Sequence, residues 1–164
     1  MPHIDATYRT IARRKARLIE GYSMGGFGAG HLGFKYPELF GAVVVDAGAL
    51  IGDRALNGPN ISPIFQGAFG GDRERFLAEH PMQLASKNAD QIRCKQHIRI
   101  GCGGDDNLLP RNLELHELLT QLNIEHQYEV VEGVAHNAGD CYAKLGSKRF
   151  ELHRRVFESL ANSQ

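Results

Sequence analysis

The sequence predicts an α/β fold, a mostly parallel sheet of about four strands flanked by helices. Three observations lead there. Strand-like and helix-like stretches alternate along the whole chain. One run, "GAVVVDAG" at 41–48, is continuously apolar and β-branched, as in a strand covered on both faces. At 164 residues the chain is long enough to bury a real core as a single domain spanning 1–164.

Each element has a local reason. Residues 5–17 have a helical pattern, with Asp5 as a cap and Tyr8, Ile11, Ala12 and Ala16 on one face. "RLIEGY" at 17–22 is a short strand leading straight into Ser23. A helix is expected from Met24 to Lys35, ending before Pro37. After the 41–48 strand comes a long segment, 50–96, rich in Gly, Pro and Asn, with only short helical patches such as "DRERFLAEH". A connection of that length in a compact domain is usually functional, so it is expected to form a lid or pocket insert. "HIRIGCGG" at 97–104 is a strand, and "ELHELLTQL" at 114–122 is a helix with Leu115, Leu118, Leu119 and Leu122 inward. "HQYEVVEG" at 126–133 is the last strand. Residues 147–161 form a final helix with Phe150, Val156, Phe157 and Leu160 on its apolar face.

Composition narrows the functional classes. Apolar and charged contents of 42% and 23% are ordinary for a soluble globular protein, and the formal net charge is zero. The dense basic cluster Arg13, Arg14, Lys15, Arg17 reads as the solvated face of a helix rather than a nucleic-acid footprint. No apolar run approaches the roughly 18 residues of a membrane span, and the first ten residues lack the pattern of a signal peptide. Cys94, Cys102 and Cys141 have no CxxC spacing, which predicts neither a disulfide framework nor a metal site and fits a cytoplasmic setting.

The chemistry concentrates at "EGYSMGGFGAGH", 20–31. Gly21-Tyr22-Ser23-Met24-Gly25 matches G-x-S-x-G between a predicted strand and a predicted helix. On such a turn a serine is held in a strained conformation with its oxygen above the sheet. Flanking glycines let neighbouring backbone pass where a Cβ would collide. The following helix aims its N–H groups, that of Met24 first, at charge developing near the serine. A phosphate loop is excluded because there is no GxxxxGK[ST]. A dinucleotide fold remains the alternative, since "GGFGAG" follows a strand and Asp46 ends the next one.

A nucleophilic serine needs a base and an orienting acid, in the chain order serine, acid, histidine on loops after strands. "CGGDDN" supplies Asp106, with Asp105 as the fallback, and "VEGVAHN" supplies His136. The other histidines read as ordinary surface or partly buried side chains. "HELLT" has Thr120 where a zincin needs its second histidine. Cys102, mid-strand, reads as a small buried apolar residue. Apolar residues near the serine and in the insert, Tyr22, Met24, Ile61, Phe65 and Phe69, are the candidate pocket walls.

The stretches "GYSMGGFGAGHLGFKYPELFGAVVVDAG", "AFGGDRERF", "IRIGCGGDDNLLPRNLELHELL" and "YEVVEGVAHN" resemble the putative-esterase group of α/β-hydrolases, which includes tributyrin esterases, S-formylglutathione hydrolases and feruloyl esterase-like enzymes. The resemblance covers nearly the whole chain but only the carboxy-terminal half of that fold, a truncated α/β-hydrolase. It implies hydrolysis of short-chain or aryl esters by Ser23, His136 and Asp106 without a cofactor, on small-molecule substrates. An acyltransferase, or a half-domain acting as an interaction module, are the alternatives. Four or more strands normally precede the serine in this group, whereas one helix and one strand do so here. Two expectations follow: a weakened oxyanion hole, with Met24 as its one donor, and self-association into a homo-oligomer through the bare edge of the first strand.

Overall fold

The computed structural model describes residues 2–52, 56, 58 and 62–161. Four strands, β1 (Leu18–Tyr22), β2 (Ala42–Asp46), β3 (His97–Gly103) and β4 (Gln127–Val131), form one sheet in the order β1-β2-β3-β4. Every neighbouring pair is parallel, with Glu20 beside Val44, Val44 beside Arg99, and Gly101 beside Glu129. Sequential parallel strands need helical crossovers, and α2 (Met24–Lys35) and α7 (Leu109–Gln121) supply two of them. The β2 to β3 crossover is built from α3 (Ser62–Phe69), α4 (Arg73–Ala78), α5 (Pro81–Lys87) and α6 (Ala89–Ile92).

The segment 50–96 is therefore more helical than its composition suggests, and punctuation rather than periodicity makes it so. Asp72 caps α4 by accepting from the N–H of Arg75, and Pro81 opens α5, where its missing N–H costs nothing. Leu84, Ala85 and Ile92 from this segment lie in the main core with Phe34, Val43, Val45, Ile98, Ile100 and Leu115. The helix expected at 114–122 also begins earlier, at Leu109, because Pro110 suits a first turn.

Two expectations are corrected. Residues 5–17 do not make one helix: α1 (Pro2–Thr7) stops early and a 3-10 turn covers Arg14–Ala16. Tyr8 and Ile11 find no surface to cover and stay exposed, so no packing supports a longer helix against the repulsion of four closely spaced cations. Asp5 accepts from Thr10 and Arg17 instead of capping, and Arg14 donates to the Lys95 carbonyl. At the other end, Gly146–Phe150 is a 3-10 turn and α9 spans Glu151–Ala161. The change of pitch rotates the inward face, so Leu152 and Val156 are buried against Ala42 and Val44 while Phe150 and Phe157 are half exposed. Among the described residues no helix is long and apolar enough to cross a membrane.

Candidate active site

Ser23 follows β1 and caps α2 with φ 59° and ψ −118°, a backbone conformation costly for any residue with a Cβ. The turn closes because Gly21 has no side chain; a Cβ there would overlap the Gly25 carbonyl. Both backbone groups of the serine are gripped from the β2 terminus. Its N–H donates to the Asp46 carbonyl and its carbonyl accepts from the Ala49 N–H, each at 2.9 Å. Strain of this kind persists only where surrounding structure over-determines it.

Asp106 and His136 reach the serine from loops after β3 and β4. These loops are tied together at Gly103, where a Cβ would strike the Val134 carbonyl, and by the Asp105 N–H donating to that same carbonyl at 3.0 Å. The result is a linear chain. His136 Nδ1 is 2.7 Å from Asp106 Oδ2, and His136 Nε2 is 2.9 Å from Ser23 Oγ. A carboxylate only accepts, so Nδ1 carries the proton and Nε2 is left to accept from the hydroxyl. The Asp106 side chain is fully buried, and its other oxygen accepts from the Leu108 N–H at 2.8 Å. Asp105 is exposed, and the carboxylate within hydrogen-bond distance of His136 is that of Asp106.

Met24 is the first residue of α2, so its N–H lacks an intrahelical acceptor and sits beside the serine at the positive end of the helix. Its side chain lines an apolar cavity together with Phe27, Ala49, Phe65, Phe69 and Phe76. Phe76 packs edge-on to both Phe65 and Phe69, with ring centroids 5.9 and 5.2 Å apart. Three of the expected wall residues, Met24, Phe65 and Phe69, therefore lie in this cavity, while Ile61 falls outside the described residues. Tyr22 is a correction. Alternation along β1 places it with Leu18 and Glu20 on the opposite face of the sheet. There it packs against Val131, Val134 and Cys141, with its ring 5.2 Å from that of His136. Burial pushes its hydroxyl pKa up, with the Asp106 charge adding to the effect.

Five of the other histidines make contacts elsewhere. His153 pairs with Glu20, His31 meets the Glu79 carbonyl, and His116 and His126 contact each other at 2.7 Å. Burial lowers the pKa of His80, whose Nδ1 accepts from the Met82 N–H. Cys102 is fully buried, and burial pushes its thiol up to about 12, far from a reactive thiolate. Among the described residues no three His, Cys, Asp or Glu side chains are grouped to hold a metal ion.

Residues 1–147 match the family model described as Putative esterase. The chain belongs to this family. Its fold is also that of larger hydrolases. A ferulic acid esterase superposes with TM-score 0.76 at 23% identity, covering 96% of this chain and 57% of its own. An S-formylglutathione hydrolase from Staphylococcus aureus gives 0.69 at 21%, covering 94% and 57%. A fluorophosphonate-binding serine hydrolase of the same organism gives 0.74 at 20%, covering 94% and 60%. This chain thus spans less than two thirds of the length of these proteins. No curated protein matches it.

Side chains outside the expected set also shape the site. Asp46 and Arg99 form a buried ion pair directly behind the serine turn, with Nη2 and Oδ2 2.9 Å apart. Asn112, fully buried on α7, bonds to the backbone of Gly48 in the loop that grips Ser23. Its sequence signal was a polar residue three before Leu115 and seven before Leu119, on the inward stripe of that helix.

Proposed function

We infer that this chain is a serine carboxylesterase acting on short-chain or aryl esters through an acyl-enzyme. The single observation carrying the reading is the Ser23–His136–Asp106 alignment, at 2.9 and 2.7 Å, on a strained strand-to-helix turn. As Ser23 Oγ bonds to the ester carbonyl carbon, its proton passes to His136 Nε2, and Asp106 holds the imidazole and stabilises its positive charge. The carbonyl oxygen becomes an oxyanion facing the Met24 N–H and the start of α2. Collapse breaks the C–O bond to the alcohol, which leaves with the proton from Nε2. Water then attacks the acyl carbon, giving its proton to the same nitrogen, and the acid departs as Ser23 recovers its own.

The apolar cavity beside Met24 is assigned to the acyl or aryl group, because its walls offer dispersion and ring contacts to an uncharged substituent. Met24 is the one oxyanion donor assigned, and each such donor is worth roughly a hundredfold or more in rate, so turnover is expected to be slow. The test is release of p-nitrophenolate from a short-chain p-nitrophenyl ester by the wild-type chain and by Ser23→Ala. The variant should be slower by on the order of a thousandfold or more. Equal rates would overturn the reading and favour a non-catalytic interaction module.

A further inference from the structure

We propose that Asn112 is a positioning residue that locks the turn holding the nucleophile to the turn holding the acid. The proposal rests on the triad reading above, and its starting point is mechanical. His136 must reach two partners that stand on separate loops, one after β1 and one after β3. A shift of either loop stretches one of the two bonds, and a misplacement near 1 Å can cost about a hundredfold in rate. Something must therefore hold the loops at a fixed separation.

The Ser23 turn is held by residues 46–49, through the Asp46 carbonyl and the Ala49 N–H. That clamp is itself under strain, since Ala47 has φ 42°. It is braced from α7 by Asn112. Asn112 Oδ1 accepts from the Gly48 N–H at 2.9 Å while Asn112 Nδ2 donates to the Gly48 carbonyl at 3.0 Å, closing a cyclic amide pair. The second Nδ2 proton goes to the Leu108 carbonyl at 2.9 Å. Leu108 in turn donates its N–H to Asp106 Oδ1 at 2.8 Å.

One buried amide thus connects the acid's turn, through Leu108, to the serine's clamp, through Gly48. Both donors of the amide and one of its acceptor sites are used, which fixes its orientation and the distance it spans. Asparagine suits the position because aspartate would lose both donors and alanine would take the acceptor from the Gly48 N–H, leaving the Gly48 carbonyl only the Leu50 N–H.

Gln96 provides a matched control. It is also buried, and its Nε2 bridges the Gly33 and Phe40 carbonyls, each at 3.0 Å, but at the opposite end of the sheet from Ser23. The experiment compares Asn112→Ala, Asn112→Asp, Asn112→Ser and Gln96→Ala with the wild type, using p-nitrophenyl acetate at a temperature where circular dichroism reports each folded. The Asn112 variants should lose about thirtyfold or more in kcat with KM changed less than about threefold. Serine, retaining one donor and acceptor, should lose least. Gln96→Ala should lower the melting temperature comparably while keeping kcat within about threefold. Labelling of Ser23 by a fluorophosphonate should slow in parallel with kcat.

Folded Asn112 variants that keep wild-type kcat, or a Gln96→Ala variant that loses as much, would overturn the proposal. A readout free of turnover separates it from the hydrolase reading: the low-field proton resonance of His136 Nδ1–H. It should shift or broaden in the Asn112 variants and persist in Gln96→Ala. If wild type and Ser23→Ala hydrolyse equally, the esterase reading falls, and this resonance alone decides the role of Asn112; its persistence in the Asn112 variants would sink that role as well.

Discussion

The two faces of the sheet bury themselves in opposite ways. Beneath α2, α5 and α7 the filling is hydrocarbon, with Phe34, Val43, Val45, Ile98, Ile100 and Leu115 all essentially inaccessible. Beneath α8 (Ala138–Leu145) and α9 two small apolar patches, Val131, Val134, Cys141 and Leu145 in one and Ala42, Val44, Leu152 and Val156 in the other, share the space with charge. Arg99 and Asp46 are paired at 3% and 2% exposure, and Glu20 bonds to both Arg149 and His153. Asp46 Oδ1, Arg99 Nε and Nη1, Arg149 Nε and His153 Nδ1 are buried without a hydrogen-bond partner among the described residues. The hydrocarbon face supplies stability that varies little with pH, because apolar burial involves no protons. The charged face depends on protonation, since desolvating ions costs several kcal/mol that partners offset only in part. It is also the face that abuts the serine, as the Asp46 carbonyl receives the Ser23 N–H.

Breaking that contrast begins with Arg99. Arg99→Met leaves Asp46 buried and unpaired, and at pH 8 should cost about 3–5 kcal/mol of unfolding free energy in urea titration. A loss below about 1 kcal/mol would mean that the pair is far better solvated than its burial implies.

The next effect is a pH slope. Burial, reinforced by Glu20 and opposed by Arg99 and Arg149, raises the Asp46 pKa from 3.8 to about 6. Between those values the folded chain holds a proton that the unfolded chain has released. The contribution of Asp46 to stability is therefore fully present below about pH 4 and lost as pH rises through about 6. Its size is about 2–3 kcal/mol. Asp46→Asn should erase this contribution, so that the difference in stability between variant and wild type changes by that amount between pH 4 and pH 7. Parallel stability curves would remove the protonation argument.

The smallest effect belongs to the hydrocarbon face. Ile100→Val deletes one buried methylene and should cost about 0.5–1.5 kcal/mol, the same at pH 4.5 and pH 8. A pH-dependent cost would show that the faces are coupled rather than independent.

Much of the site was legible because its signals are local or follow from chain order. Ser23 betrays itself through the glycines that clear its turn, of which Gly21 tolerates no side chain at all. Asp106 and His136 follow from the rule that loops after parallel strands converge at one edge of the sheet. Of the two adjacent carboxylates, the buried Asp106 meets the imidazole and Asp105 faces solvent, a difference the sequence G-G-D-D does not display. Tyr22 was misplaced because adjacency to the serine in sequence says nothing of which face a strand residue takes. Helix 5–17 was overextended because a periodic apolar stripe makes a helix only where a surface exists to receive it. Asn112 was passed over because an inward polar residue reads as a blemish in a leucine stripe until its partners are known.

By itself the sequence determined the alternation of strand and helix, the strained serine turn and the chain order of Ser23, Asp106 and His136. These depend on backbone sterics and on hydrophobic period, which act over a few residues. Only the tertiary structure decided which carboxylate meets the imidazole, which aromatic rings border the cavity, and which amide braces the serine's clamp. Those outcomes depend on distances between segments as much as 113 residues apart, as Ser23 and His136 are, and such distances are set by the packing of the whole sheet.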